Sequence, residues 1–266
     1  MAAPLPQIVL FGDSLLQGAP DILDGFSLQA ALESLFIRRY DVVNRGLSGY
    51  NTSQALRALP FVFPPPPTAP SPFTPKIAYL VVLLGANDAA LPDCVTKQHV
   101  GLEEYEANLR AILTHKNIQA YEPRKILVVT PPPVDSIRLN EYERIAYGQT
   151  TTSRQALVSA KYSEAARRVA KTVPGAVIVD LHKALMDLAI SRTAGYNPES
   201  GIVLGDETGG QRGYLASLLS DGLHLSGEGY RVFFEELRPH LDSPNPDDSS
   251  EGWALPDWHT APWLGQ

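Results

Sequence analysis

The chain has 266 residues, of which 44% are hydrophobic and 19% are charged, and its formal net charge is −7. This length and apolar fraction suit one globular domain with a substantial core, and they argue against a disordered chain. The acidic balance leaves no basic surface for nucleic acid or for an anionic membrane, so we expect neither as a partner.

Five apolar, β-branched runs recur along the chain, and each is continuous rather than alternating in polarity. Such runs are typical of strands that are covered on both faces. They are QIVLF (7–11), YDVVN (40–44), IAYLVVLLG (77–85), KILVVT (125–130) and AVIVD (176–180).

Segments with helical spacing of apolar residues lie between or after these runs. They are SLQAALESLFIRR (27–39), LEEYEANLRAILTH (102–115), SRQALVSAKYSEAARRVAK (153–171) and GYRVFFEELRPHL (229–241). Alternation of strand and helix predicts an α/β fold with three layers, in which helices cover both faces of a parallel sheet of about five strands.

Three segments interrupt the pattern. The proline-rich residues 60–75 predict a surface loop without helix or central strand, and the glycine-rich residues 193–213 predict a functional or mobile loop. Residues 242–252 have the composition of an acidic linker, which leaves residues 1–241 as the main domain.

The C-terminal tail, residues 253–266, carries all three tryptophans of the chain. Leaving three indoles in water would waste much apolar area, so we expect the tail to dock on its own domain or on a second copy in a homodimer. A partly disordered, adhesive end is the alternative.

Cysteine content and the N-terminal sequence bear on the compartment. A single cysteine, Cys94, excludes an internal disulfide and fits a reducing environment. No apolar stretch approaches 18 residues, and no basic segment precedes a long apolar run at the start. We therefore expect a cytoplasmic protein without a membrane span.

Small polar residues follow the first three predicted strands. Ligands of open parallel sheets bind beyond the carboxyl ends of the strands, where Ser14 directly follows the first strand. A serine hydroxyl needs a base within hydrogen-bond reach to act as a nucleophile. His224 is a candidate base, and Asp221, three residues before it, is a candidate to orient the imidazole.

Attack on a carbonyl places negative charge on its oxygen, which requires preorganised donors. Three candidates stand at the strand ends: the backbone N–H of Ser14, the backbone N–H of Gly46 and the side-chain amide of Asn87. Glycine at position 46 would let the backbone approach a substrate closely.

Four motifs, FGDSLLQG, NRGLSGYNT, LLGANDA and DGLHLSGEGY, span positions 11 to 230. In this order they resemble the four motif blocks of the SGNH or GDSL-type hydrolases, with Ser14, Gly46, Asn87 and His224 at the named positions. The stretches QHVGLEEYEANL and VTPPPVD are similar to the isoamyl acetate-hydrolysing esterase branch. The resemblance implies a flavodoxin-like fold, a short-chain carboxylester hydrolase and no metal or organic cofactor.

Each residue also has a structural alternative. Ser14 could cap a helix, Gly46 could be a turn glycine, Asn87 could cap the next segment, and Asp221 with His224 could be a capping group beside a surface histidine. Other catalytic patterns are missing from the sequence: no Gly-x-Ser-x-Gly elbow surrounds Ser14, no Walker loop is present, and the histidines lack metal-ligand spacing. His99 and His182 stay unassigned.

The sequence supports three hypotheses. The first is an esterase that forms an acyl-enzyme on Ser14 and takes a small-molecule ester as its substrate. The second uses the same site to transfer the acyl group to an alcohol or amine, with the loops 132–150 and 193–220 shaping the acceptor pocket. The third is a non-catalytic binding module that uses the tryptophan tail as its contact.

Overall fold

A sheet of five parallel strands forms the centre of the computed structural model, which describes residues 5–68, 74–242 and 252–262. The strands are β1 (Gln7–Gly12), β2 (Asp41–Gly46), β3 (Ile77–Leu83), β4 (Lys125–Val129) and β5 (Ala176–Val179). Every pair of neighbouring strands is parallel. The five predicted strands are confirmed, each with its ends within two residues of the expected run.

The strand order is β2-β1-β3-β4-β5. This is the flavodoxin-like order, in which the direction of winding reverses between β1 and β3. Side chains that follow β1 and β3 therefore border the crevice in which open α/β sheets bind ligands. The fold class predicted from the sequence is confirmed.

The helices, numbered in chain order, cover both faces of the sheet. They are α1 (Ser14–Gln17), α2 (Leu28–Leu35), α3 (Thr52–Val62), α4 (Leu102–Leu113), α5 (Lys116–Gln119), α6 (Ser136–Tyr147), α7 (Ala156–Thr172), α8 (Leu181–Arg192), α9 (Leu215–Leu218) and α10 (Gly227–Leu237). Short 3-10 turns cover Pro198–Ser200 and Arg238–His240. The four segments predicted to be helical contain α2, α4, all but the last residue of α7 and most of α10.

Alternate residues of β1 belong to two separate apolar cores. Ile8 and Leu10 pack in the core that α2, α8 and α10 cover. Val9 and Phe11 pack in the core under α3, α4 and α7. Burial on both faces explains why the strand sequences are apolar without interruption.

The loop prediction for residues 60–75 is wrong at its start, because α3 continues through Pro60 to Val62. Proline is tolerated there because it lies in the last turn, where its missing N–H removes one hydrogen bond and the helix ends two residues later. The other end of α3 is well capped: Asn51 and Gln54 exchange side-chain and backbone hydrogen bonds in a capping box.

The segment 132–150, expected as a loop, contains the helix α6, and α8 was not predicted either.

The glycine-rich segment 193–213 is anchored to the domain rather than detached from it. Leu204 is fully buried, the Ser136 N–H donates to the Gly205 carbonyl at 2.8 Å, and Arg212 Nε lies 2.7 Å from Asp135 Oδ2. This segment therefore supports the loop before α6.

The described part of the tail contacts the residues that follow α2. The Arg38 guanidinium lies 4.3 Å from the centre of the Trp253 ring, and the Ala254 N–H donates to the Arg38 carbonyl at 2.9 Å. Trp258 is 66% exposed. Trp263 and most of the linker lie outside the described residues, so docking of the whole tail and a homodimer stay predictions. In the part of the chain that the structure describes, no helix has the length and hydropathy to cross a membrane.

Candidate active site

Ser14 lies immediately beyond the carboxyl end of β1, at the first position of α1. The cap of this short helix is Asp13, whose Oδ1 accepts a hydrogen bond from the Leu15 N–H at 3.0 Å. Because Asp13 supplies the cap, the Ser14 hydroxyl is not used for capping. Ser14 therefore does not cap the helix, which was the structural alternative to a catalytic role.

Asp221 and His224 share a tight turn before α10. Asp221 Oδ1 accepts hydrogen bonds from the N–H groups of Leu223 and His224, at 2.9 and 2.8 Å, and so closes the turn. The N-cap of α10 is Ser226, so neither Asp221 nor His224 caps the helix. The turn is braced from outside, because the Asp135 N–H donates to the Gly222 carbonyl at 2.9 Å.

The structure brings Ser14, His224 and Asp221 into one hydrogen-bonded chain. His224 Nε2 lies 2.9 Å from Ser14 Oγ, and His224 Nδ1 lies 2.7 Å from Asp221 Oδ2. A carboxylate accepts only, so Nδ1 carries the proton and Nε2 is left to accept the serine proton. A chain of this kind can convert a hydroxyl into a nucleophile.

The electrostatics of the pair suit this tautomer. The hydrogen bond to Asp221 raises the pKa of His224 above its ordinary 6.5, against the opposing effect of burial. Burial would raise the pKa of Asp221, but the hydrogen bonds from His224 and the backbone outweigh it and hold the pKa at about 2. Asp221 is therefore ionised wherever His224 titrates.

Asn87 follows β3 and is 3% exposed. Its Oδ1 accepts from Gln98 Nε2 at 3.1 Å and from an Arg154 guanidinium nitrogen at 3.0 Å, while its Nδ2 donates to the Tyr50 carbonyl at 2.9 Å. These partners fix which end of the amide is nitrogen. An amide nitrogen carries two hydrogens, so one donor is left beyond the bond to Tyr50.

The donor predicted at Gly46 is already engaged, because its N–H donates to Asn44 Oδ1 at 2.8 Å. Gly46 serves packing instead. A Cβ at this position would overlap the backbone of Leu16 and Gln17 in α1. Glycine here lets the helix that carries Ser14 lie directly against the end of β2.

Gly49 belongs to the same motif and was missed. Its φ is +81°, and its N–H has no acceptor among the described residues. Its carbonyl accepts from Gln98 Nε2 at 2.8 Å, and the same nitrogen bonds Asn87, so Gly49 is joined to the Asn87 amide. The Ser14 N–H also lacks an acceptor in the described chain, as expected for the first residue of a helix. The motif NRGLSGYNT contains two glycines three residues apart, and the sequence alone does not show which of them keeps an N–H without an acceptor.

Asp13 is a fully buried carboxyl whose Oδ2 has no hydrogen-bond partner among the described residues. Burial raises its pKa to about 7, in spite of the Leu15 N–H and the nearby charge of His224. Asp13 therefore titrates near neutral pH, while its Oδ1 caps α1.

The two unassigned histidines have structural surroundings. His99 Nδ1 lies 2.6 Å from the Ala90 carbonyl, which can only accept, so this nitrogen carries the proton. Burial lowers the pKa of His182 to about 4, which keeps that ring neutral. Within residues 5–68, 74–242 and 252–262, no three His, Cys, Asp or Glu side chains are grouped as metal ligands would be.

Comparisons with known proteins identify the family of the chain. The model of the GDSL-like Lipase/Acylhydrolase family matches residues 10–232. The chain is 31% identical over 258 residues, 95% of this chain and 87% of the relative, to a Mus musculus protein named isoamyl acetate-hydrolyzing esterase 1 homolog. It is 34% identical over 237 residues, 88% of this chain and 85% of the relative, to a GDSL esterase/lipase of Arabidopsis thaliana.

Among solved structures, the acetylxylan esterase Axe2 of Geobacillus stearothermophilus has the same fold, with a TM-score of 0.56 and 17% identity, covering 92% of this chain and 98% of Axe2. The family match spans the segments that carry Ser14, Asn87 and His224. The predicted resemblance to the isoamyl acetate-hydrolysing esterases is confirmed by the relatives that bear this name. The chain therefore belongs to the GDSL-like lipase/acylhydrolase family and is an ester hydrolase.

Proposed function

We propose that the protein hydrolyses short-chain carboxylic esters through an acyl-enzyme on Ser14. The observation that carries the proposal is the hydrogen-bonded chain from Asp221 Oδ2 through His224 to Ser14 Oγ. His224 Nε2 takes the serine proton as Oγ attacks the ester carbonyl, and Asp221 stabilises the imidazolium that forms. The imidazolium then protonates the departing alcohol.

The anionic oxygen of the intermediate needs N–H donors that are not already bonded to a protein acceptor. In this proposal they are the Ser14 N–H, the free hydrogen of Asn87 Nδ2 and the Gly49 N–H, which takes the place predicted for Gly46. Preorganised donors of this kind contribute strongly because they need no reorientation as charge develops.

Water is the proposed acceptor of the acyl group. The His224 side chain is 42% exposed, so solvent can reach the imidazole that must activate a water molecule for the second step. Acetyl esters of small alcohols are the first substrates to assay, because relatives about 30% identical are named for isoamyl acetate hydrolysis. Transfer to an added alcohol would use the same acyl-enzyme, and product analysis with and without that alcohol measures the partition.

Covalent trapping tests the proposal. A fluorophosphonate should label the protein once, and mass spectrometry of the digest should place the label on Ser14. Turnover of p-nitrophenyl acetate should fall in proportion to labelling, because one hydroxyl carries both reactions. Labelling elsewhere, or full activity of the labelled protein, would refute an acyl-enzyme at Ser14.

The pH dependence of kcat/KM should report the ionisation of His224 in the free enzyme. Activity requires neutral His224, whose pKa lies above 6.5, so kcat/KM should rise with pH and level off above that pKa. Asp221, with a pKa of about 2, stays ionised across the whole range. Initial rates from pH 5 to 9, corrected for uncatalysed hydrolysis, provide the measurement.

Asp13 supplies a control for this profile. Its negative charge raises the pKa of His224, and its own pKa of about 7 lies in the same window. Asp13→Asn keeps an oxygen for the Leu15 N–H but removes the charge, so the acidic limb should move to lower pH and fit a single ionisation. A flat profile in the unsubstituted protein would contradict a histidine base.

A further inference from the structure

Arg154 is a buried guanidinium that the proposed reaction does not use directly. The residue is only 3% exposed, although it carries a full charge. Its Nε donates to the Ala86 carbonyl at 2.8 Å, and one terminal nitrogen donates to Asn87 Oδ1 at 3.0 Å. Arginine is almost never this buried unless it is paired, so these contacts need an explanation.

Gln98 extends the contacts of Arg154 to a second part of the site. Its Oε1 accepts from the same Arg154 nitrogen at 3.1 Å. Its Nε2 donates to Asn87 Oδ1 at 3.1 Å and to the Gly49 carbonyl at 2.8 Å. Arg154 and Gln98 thus join the segment after β3, which carries the proposed donor Asn87, to the segment after β2, which carries the proposed donor Gly49.

We propose that Arg154 and Gln98 are positioning residues that orient and polarise the Asn87 amide and hold the Gly49 peptide for the anionic intermediate. The inference rests on the proposed function of Ser14. With two donors on Oδ1, the amide cannot turn over to present oxygen instead of nitrogen, because both contacts would become donor against donor. Nδ2 therefore stays the donor end of the amide, with one hydrogen on the Tyr50 carbonyl and the other available to the substrate oxygen.

The charge of Arg154 adds to this orientation. A cation on the oxygen of an amide withdraws electron density, and a polarised amide donates a stronger hydrogen bond from its nitrogen. Glu143 Oε1, 4.0 Å from the guanidinium, is the closest acid and is itself 8% exposed. Glu143 also accepts from Ser153 Oγ at 2.8 Å, so its charge is shared rather than fully directed at Arg154.

Arginine is the required residue type at this position. Its planar fork makes the bonds to Ala86 and Asn87 from different nitrogens at the same time. Lysine has a single nitrogen, so Arg154→Lys keeps the charge but cannot hold the same set of acceptors. The substitution should lower kcat/KM for p-nitrophenyl acetate by about 10- to 100-fold, on the scale expected for a misplacement of about 1 Å.

Inhibitor binding separates positioning from general damage. A trifluoromethyl ketone adds to serine and leaves an anionic oxygen, so its affinity should fall in parallel with kcat/KM. A methyl ketone of the same shape, which stays neutral, should bind Arg154→Lys within about 3-fold of the unsubstituted protein, because ground-state contacts are unchanged. Equal losses for both ketones would overturn the proposal.

A double-mutant cycle with Asn87 supplies the second readout. Asn87→Ala should cost about 10²–10³ in kcat as the loss of one donor. In that background Arg154→Lys should cost less than about 3-fold more, because the amide through which it acts is gone. An additive further loss would overturn the proposal.

Three further proteins keep the result interpretable. Arg168→Lys should leave kcat/KM unchanged and is the matched control, because exposed Arg168 on α7 pairs with Glu106 on α4, outside the proposed site. If Arg154→Lys does not fold, Gln98→Met removes the bonds to Asn87 and Gly49 and must give the same result in the ketone comparison: weaker binding of the trifluoromethyl ketone and unchanged binding of the methyl ketone. Full activity in Ser14→Ala would instead refute the proposed function.

Discussion

Ser14→Ala should lower kcat for p-nitrophenyl acetate by about 10⁶-fold, on the scale of nucleophile removal in serine proteases. The substitution deletes one oxygen atom and leaves the Asp13 cap and the backbone of α1 in place. Because alanine favours a helix, the short helix is retained and the loss reports chemistry. Burst and steady-state kinetics at a single pH, with fluorophosphonate labelling, make the measurement.

Ser34→Ala is the matched control, because Ser34 is an exposed serine on α2, the helix that follows α1 in the chain. It should keep full activity and accept the label. Thermal melting of both variants checks that they fold alike. Activity of Ser14→Ala within 10-fold of the unsubstituted protein would eliminate Ser14 as the nucleophile.

Asp221→Asn should lower kcat by about 10⁴-fold, as expected when the group that orients the imidazole is replaced by an amide. Asparagine can present a donor to His224 Nδ1, which then carries no proton, so Nε2 becomes protonated and cannot accept from Ser14. The turn itself should survive, since an asparagine oxygen can still accept from the Leu223 and His224 N–H groups.

The pH profile of Asp221→Asn is the second readout. Asp221 is the main cause of the raised pKa of His224, so residual activity should show its acidic limb at lower pH. Asp187→Asn, at an exposed pair with Lys183 on α8, is the control and should change neither quantity. A loss below 10-fold in Asp221→Asn would mean that another group orients the imidazole.

The sequence was sufficient for the sheet because burial on both faces forces each strand to be apolar throughout, as in β1 and β3. It was insufficient for α6, which carries few buried residues and therefore has no clear apolar stripe. Pro60 misled the prediction in the opposite direction. Proline excludes a helix interior but not the last turn of a helix.

The residues of the candidate site also differ in whether the sequence could predict them. Ser14, Asp221 and His224 were accessible to sequence reasoning because nucleophile, acid and base are recognisable residue types. Gly46 and Gly49 are the same residue type, and only the hydrogen bond from Gly46 to Asn44 separates a packed glycine from one with a free N–H. Arg154 resembled an ordinary helical residue, since its burial depends on the tertiary fold.

The packing at Gly46 limits how this enzyme can be redesigned. Neither Gly12 nor Gly46 has room for even a methyl group, because the former would strike the Leu83 carbonyl and the latter the backbone of α1. Libraries that randomise these two positions should yield almost only inactive variants. Changes in substrate range are therefore better sought away from these two contacts, at exposed side chains of the segments 132–150 and 193–220 that were expected to shape the acceptor pocket.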